Sequence, residues 1–182
     1  MKYIITESQY KLLLEDEEQK ILKIPNLDYF GNWKTMQKFL EKRGNPPYGI
    51  KGNLDLRFAN IKSLGNLVSV EGNLDLSDSI IEDLKNLQSV GGNLELGETK
   101  IESLGNLKSI GGNLYLYMTK LKSLGNLQHV GGNLYLYYSQ IENLGNLKSV
   151  EGNLYLKKSP ISKMYSIEDI KNMIHVGGEI YK

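Results

Sequence analysis

The sequence predicts a mainly β solenoid: parallel strands wound in 20-residue coils, with an α-helical N-terminal cap and a short C-terminal helix. Three observations carry that prediction. The pentapeptide GNLYL begins at Gly112, Gly132 and Gly152, so identical residues return every 20 positions. Gly52, Gly72 and Gly92 open variants of the same coil, and self-similarity at a fixed period is the mark of a stacked architecture. Within each coil apolar residues fall at positions 3, 5, 10, 13, 16 and 19, as in Leu134, Leu136, Ile141, Leu144, Leu147 and Val150.

The alternation at positions 3 and 5 describes a strand with one buried face. The Gly-Asn pair at positions 14 and 15 breaks any helix over the remainder. Each coil therefore reads as one short strand followed by turns, with room for a single 3₁₀ turn. A lone coil cannot bury six aliphatic side chains, so coils must stack, their strands about 4.8 Å apart. Six coils start at residues 52, 72, 92, 112, 132 and 152, and a final strand spans 178–182. Asparagine repeats at position 2 (Asn53 to Asn153) and at position 15 (Asn66 to Asn146). Stacked amides of this kind satisfy turn backbone groups and one another, a structural role.

Residues 1–51 do not repeat and read as a helical cap, the usual cover for an open solenoid end. Thr6-Glu7-Ser8-Gln9 forms a capping box, with Tyr10, Leu13 and Leu14 behind it, predicting a helix near 7–19. That helix also admits a separate docking role. Asn32 caps a second helix with Trp33, Met36, Phe39 and Leu40 on one face, ended by Gly44 before Pro46-Pro47. Near the other end one coil is stretched by six residues, and Ser166-Ile167-Glu168-Asp169 opens a short helix to about Ile174. The strand Glu179 to Lys182 follows, an edge through which a homo-oligomer would form.

Lys plus Arg (22) nearly cancels Asp plus Glu (21), so no global field draws the chain to nucleic acid or an anionic membrane. The sequence has no cysteine, which removes disulfides, thiolate nucleophiles and thiolate metal sites. Apolar stretches are too short for a membrane span. The expectation is a cytoplasmic protein, with a virion component as the alternative.

The stretch Leu134-x-Leu136-x-x-Ser139-x-Ile141 resembles the later part of the leucine-rich repeat, L-x-x-L-x-L-x-x-N/C-x-L. Two departures stand out: Gly131 or Glu151 falls where the first Leu belongs, and Ala59, Ser79, Thr99, Thr119, Ser139 and Ser159 occupy the Asn/Cys site. The rhythm SVGGNLYL is also similar to the coils of receptor L domains and to short glycine-rich repeat proteins encoded by bacteriophages. The opening MKYIITESQYKLLLE looks like leader segments of phage-encoded proteins. The likeness implies a solenoid, a viral or bacterial source, and a bacterial host protein as partner.

No phosphate loop, dinucleotide fingerprint, HExxH or nucleophile elbow is present, and neither an enzyme nor a cofactor or metal is expected. His129 and His175 share position 18, where Ser recurs, and both are expected to face solvent. Position 4 lies between two inward leucines and points outward, reading Asp55, Asp75, Glu95, Tyr115, Tyr135, Tyr155 and finally Tyr181. Carboxylates on stacked strands would lie at about the 5 Å spacing of a retaining glycosidase, but a flat face gives no desolvation to separate acid from nucleophile. A solvated acidic face is the reading for Asp55, Asp75 and Glu95, ahead of a calcium site at Asp78 or Glu98. Tyr117 and Tyr137 at position 6, and Met118 and Tyr138 at position 7, widen the aromatic half, and Lys157 and Lys158 extend it with positive charge. The expected partner surface is Tyr115, Tyr117, Tyr135, Tyr137, Tyr138, Tyr155, Lys157 and Lys158, used to bind another protein. Sheet-stabilising stacking, a glycan site and the acidic surface are the alternatives.

Overall fold

The computed structural model describes residues 21–182; the helix expected near 7–19 lies outside the described residues. The chain is a parallel β-solenoid. Two-residue strands at positions 3 and 4, from Leu54–Asp55 to Ile180–Tyr181, stack into a seven-stranded sheet in chain order. Leucine lies on leucine and position 4 on position 4, as in Leu134 between Leu114 and Leu154. The 20-residue period is therefore one circuit of the cross-section, and it sets the register.

Each coil contributes a second strand that the repeat pattern does not announce. Ser89–Val90, Ser109–Ile110, His129–Val130, Ser149–Val150 and their counterparts build an eight-stranded parallel sheet. The reading of one strand per coil is thus corrected to two. Only position 19 of this strand is apolar, so two residues leave no alternation to detect. Its pairing is made between coils, as in Gly111 N–H donating to the Val90 carbonyl at 2.8 Å.

In the coils that start at 72, 92, 112 and 132 all six apolar positions are buried, with Leu96, Leu116, Leu136 and Ile141 fully enclosed. Burying each such side chain contributes about 1.5–3 kcal/mol. Position 8 is buried as well from Ser79 onward. From Thr99 to Ser159 its hydroxyl donates to the carbonyl three residues earlier, as Thr119 to Leu116 at 2.9 Å and Ser139 to Leu136 at 2.9 Å, while Ser79 Oγ has no partner among the described residues. A short hydroxyl closing its own turn accounts for Ser and Thr in a column where leucine-rich repeats carry Asn or Cys.

Ahead of residue 52 the chain is not only helical. Leu22–Ile24 and Tyr48–Ile50 extend the eight-stranded sheet. Between them the helix Trp33–Glu41 starts at Asn32, whose side chain accepts from Thr35 N–H at 2.9 Å. Phe30, Met36 and Leu40 join the core and cover its end. Buried Tyr48 donates to the Leu64 carbonyl at 2.8 Å, and burial pushes its hydroxyl well above the usual phenol range. In the stretched coil, helices Ile161–Met164 and Ile167–Met173 are followed by His175–Val176, which rejoins the sheet. The capping box forms as expected: Asp169 N–H donates to Ser166 Oγ at 3.0 Å and Ser166 N–H to Asp169 Oδ2 at 2.8 Å. No helix among the described residues is long and apolar enough to cross a membrane.

Candidate binding surface

The outer face of the seven-stranded sheet is built on the asparagines at position 2. The side-chain carbonyl of each accepts the backbone N–H of the next coil, from Asn73 onto Asn53 at 2.8 Å through Asn153 onto Asn133 at 2.7 Å. Glu179 N–H continues the series onto Asn153 at 2.8 Å. In the last coils the free amide donors of Asn113, Asn133 and Asn153 reach the hydroxyls of Tyr115, Tyr135 and Tyr155 at 3.0–3.1 Å. The asparagines at position 15 are less regular; Asn126 Nδ2 donates to the Gly105 carbonyl at 3.1 Å, while Asn146 lies 3.5 Å from Asn126.

With their hydroxyls held, the tyrosine rings lie parallel. Tyr115 and Tyr135 stack at 4.6 Å between centroids, Tyr135 and Tyr155 at 4.7 Å, and Tyr155 and Tyr181 at 4.8 Å. These distances match the coil spacing, so the stack costs the backbone no distortion. Tyr115, Tyr135 and Tyr155 are half-buried in the stack, and Tyr181 at its end is exposed.

Position 6 lays a second aromatic layer on the first. Tyr137 leans over Tyr135 and Tyr155, with centroids at 6.0 and 5.5 Å. Tyr117 lies across Gly97, where an added Cβ would overlap its ring. Partial desolvation raises the Tyr117 and Tyr137 hydroxyls above their ordinary value. Position 7 projects furthest. Met118 is 56% exposed and Tyr138 49% exposed, with Lys158 Nζ 4.7 Å from the Tyr138 ring centroid. The Lys158 ammonium also lowers the Tyr138 hydroxyl. Lys157 is exposed beside it.

In every coil position 7 has positive φ, yet none of its occupants is glycine or asparagine: Phe58, Asp78, Glu98, Met118, Tyr138 and Lys158 lie between 55° and 61°. The sequence reading missed this corner, because left-handed turns are recognised by Gly and Asn. Phe58, 74% exposed, belongs to the same column and was not among the expected site residues.

The acidic residues are not three equivalent carboxylates. Arg57 reaches Asp55 at 2.7 Å and Asp75 at 3.6 Å, holding Asp55 below the usual carboxylate range. Among the described residues no cation pairs with Glu95 in this way. Burial, reinforced by Asp75 on the adjoining strand, raises its carboxyl above the usual range. The folded chain thus holds this proton more tightly than the unfolded chain. The resulting stability is present below the ordinary carboxylate range and lost as pH rises through the raised value. Glu95→Gln is expected to melt with the wild type in acid and above it at neutral pH. Thermal melts across pH check this; a constant difference at every pH would contradict it.

On the other sheet His129 and His175 are exposed and flank Ser149, with His129 Nδ1 3.1 Å from Ser149 Oγ. Among the described residues no carboxylate hydrogen bond orients that imidazole. An open hollow of about 580 Å³, lined in part by Glu102, Lys120, Lys122 and Asn126, lies away from the tyrosines. No family model, curated protein or solved structure matches the chain. The leucine-rich-repeat and phage resemblances accordingly stay likenesses of repeat pattern.

Proposed function

We propose that the protein is a non-enzymatic protein-binding module whose contact surface is the tyrosine face of its last coils. One observation carries the reading: Met118 and Tyr138 are exposed on left-handed corners, at φ 56° and 55°. Left-handed backbone costs a non-glycine residue about 1–2 kcal/mol. An exposed apolar side chain recovers little of that by burial within its own chain, whereas a bound partner would bury it. The tyrosines beneath are already fixed by stacking and by the asparagine donors. Little side-chain entropy would be lost when a partner docks on them. In keeping with the likeness of the repeat to phage-encoded proteins, the partner we propose is a protein of the bacterial cytoplasm.

Capture from bacterial lysate, with the wild type beside a Tyr135→Ala/Tyr137→Ala variant, tests this. The variant is expected to unfold cooperatively while losing about 2 kcal/mol of binding, roughly 30-fold. Recovery of the same proteins by both would overturn the surface, and capture of glycan alone would replace the protein partner with a sugar.

A further inference from the structure

The tyrosine face is polarised along the solenoid in a way that fits a second copy of itself. Its columns at positions 4, 6 and 7 change character from coil to coil. Asp75 and Asp78, then Glu95 and Glu98, make one end acidic; Tyr115, Tyr117 and Met118, then Tyr135, Tyr137 and Tyr138, make the middle aromatic; Lys157 and Lys158 make the other end basic. Asp78, Glu98, Met118, Tyr138, Lys157 and Lys158 are all exposed. Among the described residues Asp78, Glu98, Lys157 and Lys158 form no ion pair within the chain, in contrast to Asp55 with Arg57 and Glu82 with Lys62.

A two-fold axis lying in the plane between two such faces, perpendicular to the solenoid axis and level with the gap between the coils that start at 112 and 132, reverses the order of the coils. It lays the Tyr117 and Met118 coil of one copy on the Tyr137 and Tyr138 coil of the other. The same operation sets Glu95 and Glu98 opposite Lys157 and Lys158, twice by symmetry. Their separation from the axis agrees on both sides: the coils carrying Glu98 and Lys158 each lie one and a half coil steps away, about 7 Å at 4.8 Å per step. A patch that is its own complement under a two-fold is what an isologous dimer requires, and opposed charge at the rim of an aromatic centre fixes its register.

We infer that two copies associate face to face through this surface, burying Met118 and Tyr138 until a partner displaces one of them. This inference rests on the proposed binding role of the same face and names an occupant for it. Sedimentation of the full chain is expected to give twice the 20.6 kDa mass of one chain. Association should weaken roughly tenfold or more as ionic strength rises from about 0.1 M to about 1 M, where the screening length falls from about 10 Å to about 3 Å.

Charge exchange tests the register. Lys157→Glu/Lys158→Glu makes both of the facing coils acidic, and Glu95→Lys/Glu98→Lys makes both of them basic. Each variant alone is expected to be monomeric, and an equimolar mixture is expected to form a heterodimer, which also shows that both are folded. A monomeric wild type at the highest attainable concentration overturns the inference. So does a dimer that survives both exchanges, or a mixture that stays monomeric. If the wild type is monomeric while the Tyr135→Ala/Tyr137→Ala variant still loses its lysate partner, only the self-association falls.

Discussion

Leu116→Ala is expected to lower the unfolding free energy by about 2–5 kcal/mol. Leu116 is fully buried at position 5, and its N–H donates to the Tyr135 carbonyl of the next coil at 2.9 Å. The lost methyl groups leave a void between neighbouring coils that have identical side chains above and below. Neither neighbour can collapse into it without leaving its own column. Lys122→Ala, at an exposed position of the same coil, is expected to change stability by less than about 0.5 kcal/mol. Urea unfolding of the two variants makes the comparison, and equal midpoints would refute the assigned periodicity.

Asn133→Ala is expected to cost about 1–3 kcal/mol, because it removes two contacts from one side chain. The Asn153 N–H loses its acceptor at 2.7 Å, and the Tyr135 hydroxyl loses its donor at 3.1 Å. Asn126→Ala removes an exposed donor to the Gly105 carbonyl and a long, exposed contact with Asn146 at 3.5 Å, and is expected to cost less than about 1 kcal/mol. Comparable losses in the two variants would show that the position-2 ladder holds the sheet no better than the position-15 column does.

The contrast between those two asparagine columns marks how far the sequence could be read. Both repeat without exception, so periodicity alone ranks them equally. Only the stacked backbone shows that position 2 faces an N–H in the next coil. The apolar columns, the helix capped by Asn32 and the Ser166–Asp169 box were legible because each has a local pattern: a period, a capping oxygen, a reciprocal pair. The second strand was not, since Ser149–Val150 acquires its partners from residues 20 or more positions away. Likewise Leu22–Ile24 and Tyr48–Ile50 are three residues each, and their pairing is a property of the stack.

At the surface the outward direction of position 4 followed from the buried leucines on either side. The consequences of that direction did not. Arg57 draws Asp55 and Asp75 together, while Glu95 is left to burial and like charge. Gly97 had a readable signal, since it is the one glycine in a column otherwise holding Arg57, Ser77, Tyr117, Tyr137 and Lys157, and it makes the seat for Tyr117. The left-handed corner had none, because apart from Asp78 its residues are not those that such backbone favours.

That corner also supplies the sharpest test of the binding role. Asparagine accepts left-handed backbone more readily than methionine or tyrosine, so Met118→Asn/Tyr138→Asn should relieve strain while removing the exposed apolar contacts. Thermal melting and lysate capture are to be measured on the same preparations. The account predicts a melting temperature equal to or above that of the wild type together with loss of the captured protein. Full retention of that protein by the double variant would contradict it.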